Sequence, residues 1–424
     1  MRRSSKDSTK LSADSQRLVS ISQAIVQAAS RVEERTWERN LDQQLQKLLK
    51  TNHQDSIDAA LNVLFKGELA VYDVLMDGVE AVSESSTMLE QGADGEVCWQ
   101  ALLVAAPVLA WTRFAIASGT IPNDVLATLG AHFSAHLLAE GAQAAVAPTL
   151  YSIDQLPRTH AETYALTHKL AQAAHKNNGG NGNKNGSGVK PAAPGPDTSQ
   201  FLADTRYLLI AVVARKDAPL FRWQEAQHHL NFEAVREAAL EQWRAQAGPN
   251  VTRLLPGCGV ELLLPEAYYM ACREADRQVR PVSIRAAVHY LTHTLNVEPS
   301  DLRAVVAGFG DEPGDSQVDE YRVGFTLRQS TDVVYGIVWP LYGQEDEDGA
   351  PAEGAPAGAG PLPPVEEIVG HLHEVGVSHV KRIGERYVAE YCDDCGAPLF
   401  ADPSGELVHA EMPEDAPAGN EHFH

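Results

Sequence analysis

Two thiols stand two residues apart near the end of this chain, in Tyr391-Cys392-Asp393-Asp394-Cys395-Gly396-Ala397-Pro398-Leu399-Phe400. A Cys-x-x-Cys pair on one tight turn presents two sulfurs at the geometry a tetrahedral zinc ion requires. Gly396, directly after the second cysteine, permits the positive φ or close backbone approach such a knuckle often needs. Pro398-Leu399-Phe400-Ala401 and Glu406-Leu407-Val408-His409 flank Asp402-Pro403-Ser404-Gly405. That pattern is a β-hairpin, so the stretch reads as the knuckle-plus-hairpin half of a zinc ribbon. Imidazoles supply the other ligands. His422 and His424 alternate with Phe423, and an extended tail puts both rings on one side. His409, at the end of the hairpin, competes as the third ligand. The expected cofactor is zinc, structural if four protein ligands close the site and able to activate water if one position stays open.

Two other readings of the pair stand beside zinc: a redox dithiol, and no function. A reactive dithiol needs a stabilised thiolate. Here Asp393 and Asp394 lie between the sulfurs and are expected to raise the thiol pKa, a charge that a bound cation offsets instead. Elsewhere, His132 and His136 lie four apart on an expected helix with Glu140 four further on, and His289 and His293 repeat the spacing. Either pair shares a helix face, but His-Glu-x-x-His is absent and ordinary histidines explain both. Cys98, Cys258 and Cys272 sit among apolar or small residues and are expected to pack as small hydrophobes. Cys258, between two glycines, has no assignable base that would make it a nucleophile. Gly308-Phe309-Gly310 resembles a fragment of a phosphate loop, but it runs into Asp311-Glu312-Pro313, which repels phosphate.

The elements that must position these groups follow from periodicity. Residues 1–13 are expected to be disordered and 14–92 to form a helical hairpin: Leu18, Ile21, Ile25, Val32, Leu41, Leu45 and Leu48 share one stripe, and Ile57, Leu61, Leu64, Leu69, Tyr72, Met76 and Val79 share a second. A first α/β unit spans 97–175, with a strand at Leu102-Leu103-Val104, a helix from Ile121 to Gln143, a strand over 149–156 and a helix over 159–174. The Asn/Gly/Ser/Pro-rich stretch 176–200 reads as a flexible linker. A second unit spans 201–343. It has a strand at 207–213, a helix from Asn231 to Ala247, extended segments at 251–255 and 260–264, and a helix after Pro265. In both units an extended segment ends in Leu-Pro, at Leu156-Pro157 and Leu264-Pro265, which suggests a duplication. A third copy starts at Leu302–Phe309, continues with a helix at 366–375, and matches Val380–Ile383 to Val251–Leu254. The runs 321–327 and 333–339 read as an inserted β-hairpin. An acidic and then Ala/Gly/Pro-rich linker covers 344–364, and 365–424 carries the helix, strand and knuckle. The expected class is α/β: helical hairpin, duplicated strand–helix units and zinc-ribbon-like knuckle.

Composition narrows the function classes. Of the net charge of −23, residues 301–424 carry −19, with 25 Asp/Glu against 6 Lys/Arg. An acidic C-terminal third repels phosphate backbones, which disfavours nucleic acid, or it serves solubility alone. Five cysteines in 424 residues do not suggest a disulfide framework. Met1 to Lys10 lacks an apolar signal core, and the most apolar run, Ala101 to Trp111, is too short to cross a bilayer as a helix. The expected location is the cytoplasm.

The tail from Tyr391 to Phe400, the Leu407-Val408-His409-Ala410-Glu411 segment and the closing His422-Phe423-His424 resemble a bacterial family, domain of unknown function 2863, typical of betaproteobacteria. The resemblance extends over nearly the whole chain. It implies a cytoplasmic bacterial protein, and it brings no activity, substrate or catalytic residue. Three functions stay open. The first is a non-enzymatic scaffold or regulatory protein stapled by a zinc knuckle, with an unidentified protein partner. The second is a hydrolase with an open zinc at Cys392, Cys395 and one histidine. The third is a small-molecule sensor binding between the duplicated units.

Overall fold

Apolar residues at threes and fours build the N-terminal layer. In the computed structural model, residues 11–92, 95–112, 115–177, 202–310, 318–341 and 362–413 are described. The layer holds four helices: α1 (Ala13–Val26), α2 (Arg31–Lys50), α3 (Gln54–Phe65) and α4 (Leu69–Ser83). Each helix of the expected hairpin is therefore split in two. At the first break the Ser30 hydroxyl accepts from the Glu33 N–H at 3.2 Å, and the Glu33 carboxylate accepts from the Ala29 N–H at 3.1 Å. This reciprocal cap starts α2 afresh, because it satisfies donors that no preceding turn serves. At the second break stands Gly67, a residue that weakens a helix interior by about 1 kcal/mol. Leu18, Leu45, Leu48, Ile57, Leu75 and Val79 are fully buried where the four helices meet.

The next stretch forms the larger sheet. Its elements are β1 (Ser85–Gly92), β2 (Gly95–Thr112), β3 (Gly119–Thr120), α5 (Asn123–Leu137), β4 (Gln143–Ser152), α6 (His160–Asn177), β5 (Leu202–Arg215), α7 (Phe232–Leu254), β6 (Gly259–Leu262), β7 (Glu266–Ala267) and α8 (Tyr268–Leu295). The order is β1-β2-β5-β4-β3, with β6 and β7 also on β2. Every pair is antiparallel. The apolar run at 101–111 is thus the middle of a strand paired continuously with β5, from Trp99↔Arg215 to Thr112↔Leu202. Alternation sorts its side chains. Val104, Val108 and Val212 join Phe133 of α5 and Trp243 of α7, while Leu103, Ala105 and Leu209 join Ala171 of α6 and Ala271 of α8. Pro107 is tolerated in this interior strand because it falls opposite the interruption between β6 and β7, where its carbonyl accepts from the Leu263 N–H at 2.9 Å.

Residues 251–254, expected to be extended, instead form the end of α7. Trp243, Ala247, Val251 and Leu255 are spaced by four and all buried, so burial of one helical stripe overrides the β-branched signal. The third-copy alignment loses its anchor with this: Val251–Leu254 is helical and Val380–Ile383 lies in a strand.

The smaller sheet contains β8 (Leu302–Gly310), β9 (Glu320–Leu327), β10 (Val333–Pro340) and, after α9 (Pro364–Glu374), β11 (His379–Val388), in the order β10-β9-β8-β11. The expected hairpin is β9–β10, and β11 lies parallel to β8 after the α9 crossover. One long helix serves both cores. Tyr268, Ala271 and Ala275 near the start of α8 pack on the larger sheet; Ile284, Ala287, Val288 and Leu291 pack with Val306, Phe325, Trp339 and Leu372. Two short strands, β12 (Phe400–Ala401) and β13 (Leu407–Val408), close the described chain as an antiparallel pair. The fold is mixed α/β. Among the described residues, no helix is long and apolar enough to cross a membrane.

Candidate metal centre

Past the end of β11 the chain turns back on itself. Leu399 N–H donates to Glu390 O at 3.1 Å, Cys392 N–H to Ala397 O at 2.8 Å and Gly396 N–H to Cys392 O at 2.8 Å. Gly396 has φ +72°, and an added Cβ there meets nothing within 4 Å. The backbone conformation, not space, therefore calls for glycine at this position. The loop joining β12 to β13 is held by Asp402. Its carboxylate accepts from the N–H groups of Ser404, Gly405 and Glu406 at 2.7, 2.8 and 2.9 Å and from the Ser404 hydroxyl at 2.7 Å. Burial opposes the charge on Asp402, but these donors outweigh it and hold the carboxyl below its ordinary pKa.

That hairpin returns His409 to the knuckle. His409 Nε2 lies 3.2 Å from Cys395 Sγ, and the ligand atoms of Cys392, Cys395 and His409 all lie within 4.8 Å of one another. Bonds of about 2.0–2.3 Å to a tetrahedral ion put neighbouring donors roughly 3.3–3.8 Å apart, so the group can hold a metal with little rearrangement. The Cys392 thiol is held below its ordinary pKa by the backbone N–H groups of Cys395 and Asp394 and by the Cys395 side chain, against the charge of Asp394. The expected dominance of the aspartates is thereby corrected. The backbone N–H groups hydrogen-bond the sulfur directly, whereas both carboxylates are exposed and screened. On the far side of the imidazole, His409 Nδ1 is 3.3 Å from Glu411 Oε1, outside hydrogen-bond alignment. The Glu411 N–H donates to Val333 O of β10 at 2.9 Å, which ties this segment to the smaller sheet. His422 and His424 lie outside the described residues.

The family described as protein of unknown function (DUF2863) matches residues 3–423. The chain belongs to that family. No curated protein and no solved structure matches it.

What holds the knuckle of this DUF2863 member in place is a residue that sequence reasoning missed. The Arg322 side chain, on β9, is fully buried. Its Nη1 donates to Glu390 O and to Leu399 O, both at 2.7 Å, and its Nε to Glu320 Oε1 at 2.6 Å. Those two carbonyls belong to the strands of chain entering and leaving the knuckle. Among the described residues Nη2 is buried without an acceptor, and the guanidinium lies over Phe309 at 4.3 Å and Tyr391 at 5.0 Å. The Phe400 ring seats the hairpin on the same sheet, over Gly336, where an added Cβ would come 2.3 Å from its Cζ. The available signals were an arginine inside the apolar run Tyr321–Leu327 and glycines within two adjacent strands.

The remaining candidates fall elsewhere. His132 and His136 have ring centroids 6.4 Å apart, and His289 and His293 4.2 Å apart. Neither pair gains a third ligand: among the described residues, only the Cys392–Cys395–His409 group brings three possible ligands together. Cys258 and Cys272 pack at the edges of the two cores of the larger sheet. Burial pushes the Cys258 thiol up and the Cys272 thiol up to about 12, as expected of inert packing groups.

Proposed function

We propose that Cys392, Cys395 and His409 hold a zinc ion that staples the C-terminal hairpin to the smaller sheet, and that the chain acts as a non-enzymatic scaffold or regulatory protein of the cytoplasm. The observation that carries this reading is the convergence of two knuckle thiols and one imidazole within 4.8 Å. The knuckle's own hydrogen bonds and the buried Arg322 anchor support a structural role, since both hold the ligands in place through backbone rather than through a reacting group. His422 or His424 serves as the fourth ligand, which closes the site. With the two-residue strands β3 and β7 set aside, the order strand, helix, strand, helix recurs in β2-α5-β4-α6 and β5-α7-β6-α8, and both final helices start three residues after a Leu-Pro. We take the two runs to be duplicated units. The acidic C-terminal third favours a protein partner over nucleic acid.

The test is elemental analysis of protein purified without chelator, followed by X-ray absorption at the zinc edge. One zinc per chain, lost in Cys392→Ser and His409→Ala, is expected. Its absence from the parent protein, or its retention in both variants, overturns the site. Four protein donors around the ion are expected as well. Three donors and a water would replace the structural role with a hydrolytic one.

A further inference from the structure

Away from the knuckle, a cavity of about 400 Å³ opens between the larger sheet and α8, lined by Trp111, Glu261, Val282, Arg285, Ala286 and His289. Its volume falls in the range that accepts small organic ligands. One wall is rigid. Trp111 pairs with Gly259 across β2 and β6, and an added Cβ on Gly259 would lie 2.2 Å from the indole Cε2 and Nε1. The missing side chain is what lets the ring lie flat across the neighbouring strand. The Thr112 hydroxyl donates to Gly257 O at 3.0 Å and locks the end of β2 to the turn before β6. The aromatic surface is thus ordered before any ligand arrives.

The opposite wall is one face of α8, since residues 282, 285, 286 and 289 recur at helical spacing. Val282 and Ala286 are buried and give an apolar floor, while Arg285, His289 and, from β6, Glu261 are exposed at the rim. Glu261 and Arg285 carry opposite charges on one cavity. Among the described residues, neither is paired with the other or with any third group. Burial and the nearby His293 hold the His289 pKa down, so this ring adds no charge at neutral pH. The rim therefore presents one negative and one positive group across an aromatic wall. An indole face beside a carboxylate suits an ammonium, and a guanidinium suits a carboxylate. A ligand with one charge leaves one of these groups unmatched.

We propose that this cavity binds a small zwitterion of the free α-amino acid class, with its ammonium at Trp111 and Glu261, its carboxylate at Arg285 and its side chain over Val282 and Ala286. The site is independent of the metal centre. Isothermal titration calorimetry of the full chain against the twenty free L-amino acids tests it, together with the N-acetyl and carboxamide forms of the best binder. At least one amino acid is expected to bind, with each blocked form weaker by about tenfold or more, the size of one lost charge-assisted contact. Arg285→Gln and Glu261→Gln, both at exposed positions, are each expected to weaken binding similarly while leaving the thermal melt unchanged. Absence of binding across all twenty, blocked forms that bind as well as the free one, or a Kd unmoved by both substitutions overturns the proposal.

Discussion

Replacing Arg322 with lysine keeps a positive charge on β9 and removes the fork that clasps the knuckle. In the parent protein one guanidinium serves three acceptors and two aromatic faces at once. An ammonium is a point donor without that planar reach. The three acceptors do not suffer equally. Glu390 O keeps the Leu399 N–H at 3.1 Å, and the Glu320 side chain, at 20% exposure, recovers water. Among the described residues Leu399 O has no such second donor, and leaving a half-buried carbonyl unpaired costs about 1–3 kcal/mol. Loss of the two ring contacts adds about 1–2 kcal/mol. The sum, about 2–5 kcal/mol, overlaps the roughly 3–5 kcal/mol that breaking a buried ion pair usually costs. Guanidinium unfolding of the zinc-loaded full chain is expected to show this loss as a lower midpoint with an unchanged slope. If half of the loss falls on the knuckle, affinity for the proposed zinc, measured by chelator competition, drops roughly 5- to 70-fold. An Arg322→Lys protein within about 0.5 kcal/mol of the parent, with zinc affinity unchanged within twofold, would refute the anchoring role.

Two further outcomes are expected. Burial pushes the Glu84 carboxyl up to about 7, with the Tyr269 N–H and Arg273 acting the other way and Glu80 adding to the rise. Because the folded state then holds the proton more tightly than the unfolded chain, stability is highest below the ordinary carboxyl pKa, declines as pH climbs towards 7, and levels off above it. Glu84→Gln, whose amide oxygen still accepts from Tyr269, is expected to stabilise the protein by roughly 2 kcal/mol at pH 8 and to change nothing at pH 4. Denaturant midpoints at the two pH values check this, and an equal gain at both would contradict the assignment. Gly336→Ala forces the Phe400 ring off its seat and is expected to cost about 1–3 kcal/mol. Phe400→Leu in the same chain should recover much of that loss, giving a coupling above about 1 kcal/mol in a double-mutant cycle; simple additivity would show that the ring does not press on Gly336.

Several parts of this fold are legible from residues close together in the chain. The β9–β10 hairpin follows from two β-rich runs around a polar turn, and β8 from the apolar run Leu302–Phe309. The knuckle is also local: two cysteines, Gly396 at positive φ and the Asp402 loop all act within twenty residues of one another. The helical layer is half legible. Its stripes identify the buried faces, but the Ser30–Glu33 cap breaks a periodicity that runs straight through it. The end of α7 is misread because Val251 and Leu255 answer to the core they enter rather than to their β propensity.

By its residue types and short spacings alone, this chain determines an α/β composition, a thiol pair on a turn and a histidine at the end of the following hairpin. Those features depend on φ preferences and hydrogen bonds within a few residues, so they are written locally. The tertiary structure alone decides that His409 faces Cys395, that β2 pairs with β5 beyond a long intervening segment, and that Arg322 reaches carbonyls 68 and 77 positions away. A buried guanidinium is stable only where distant strands bring acceptors and ring faces to it, and no local pattern specifies which strands those are.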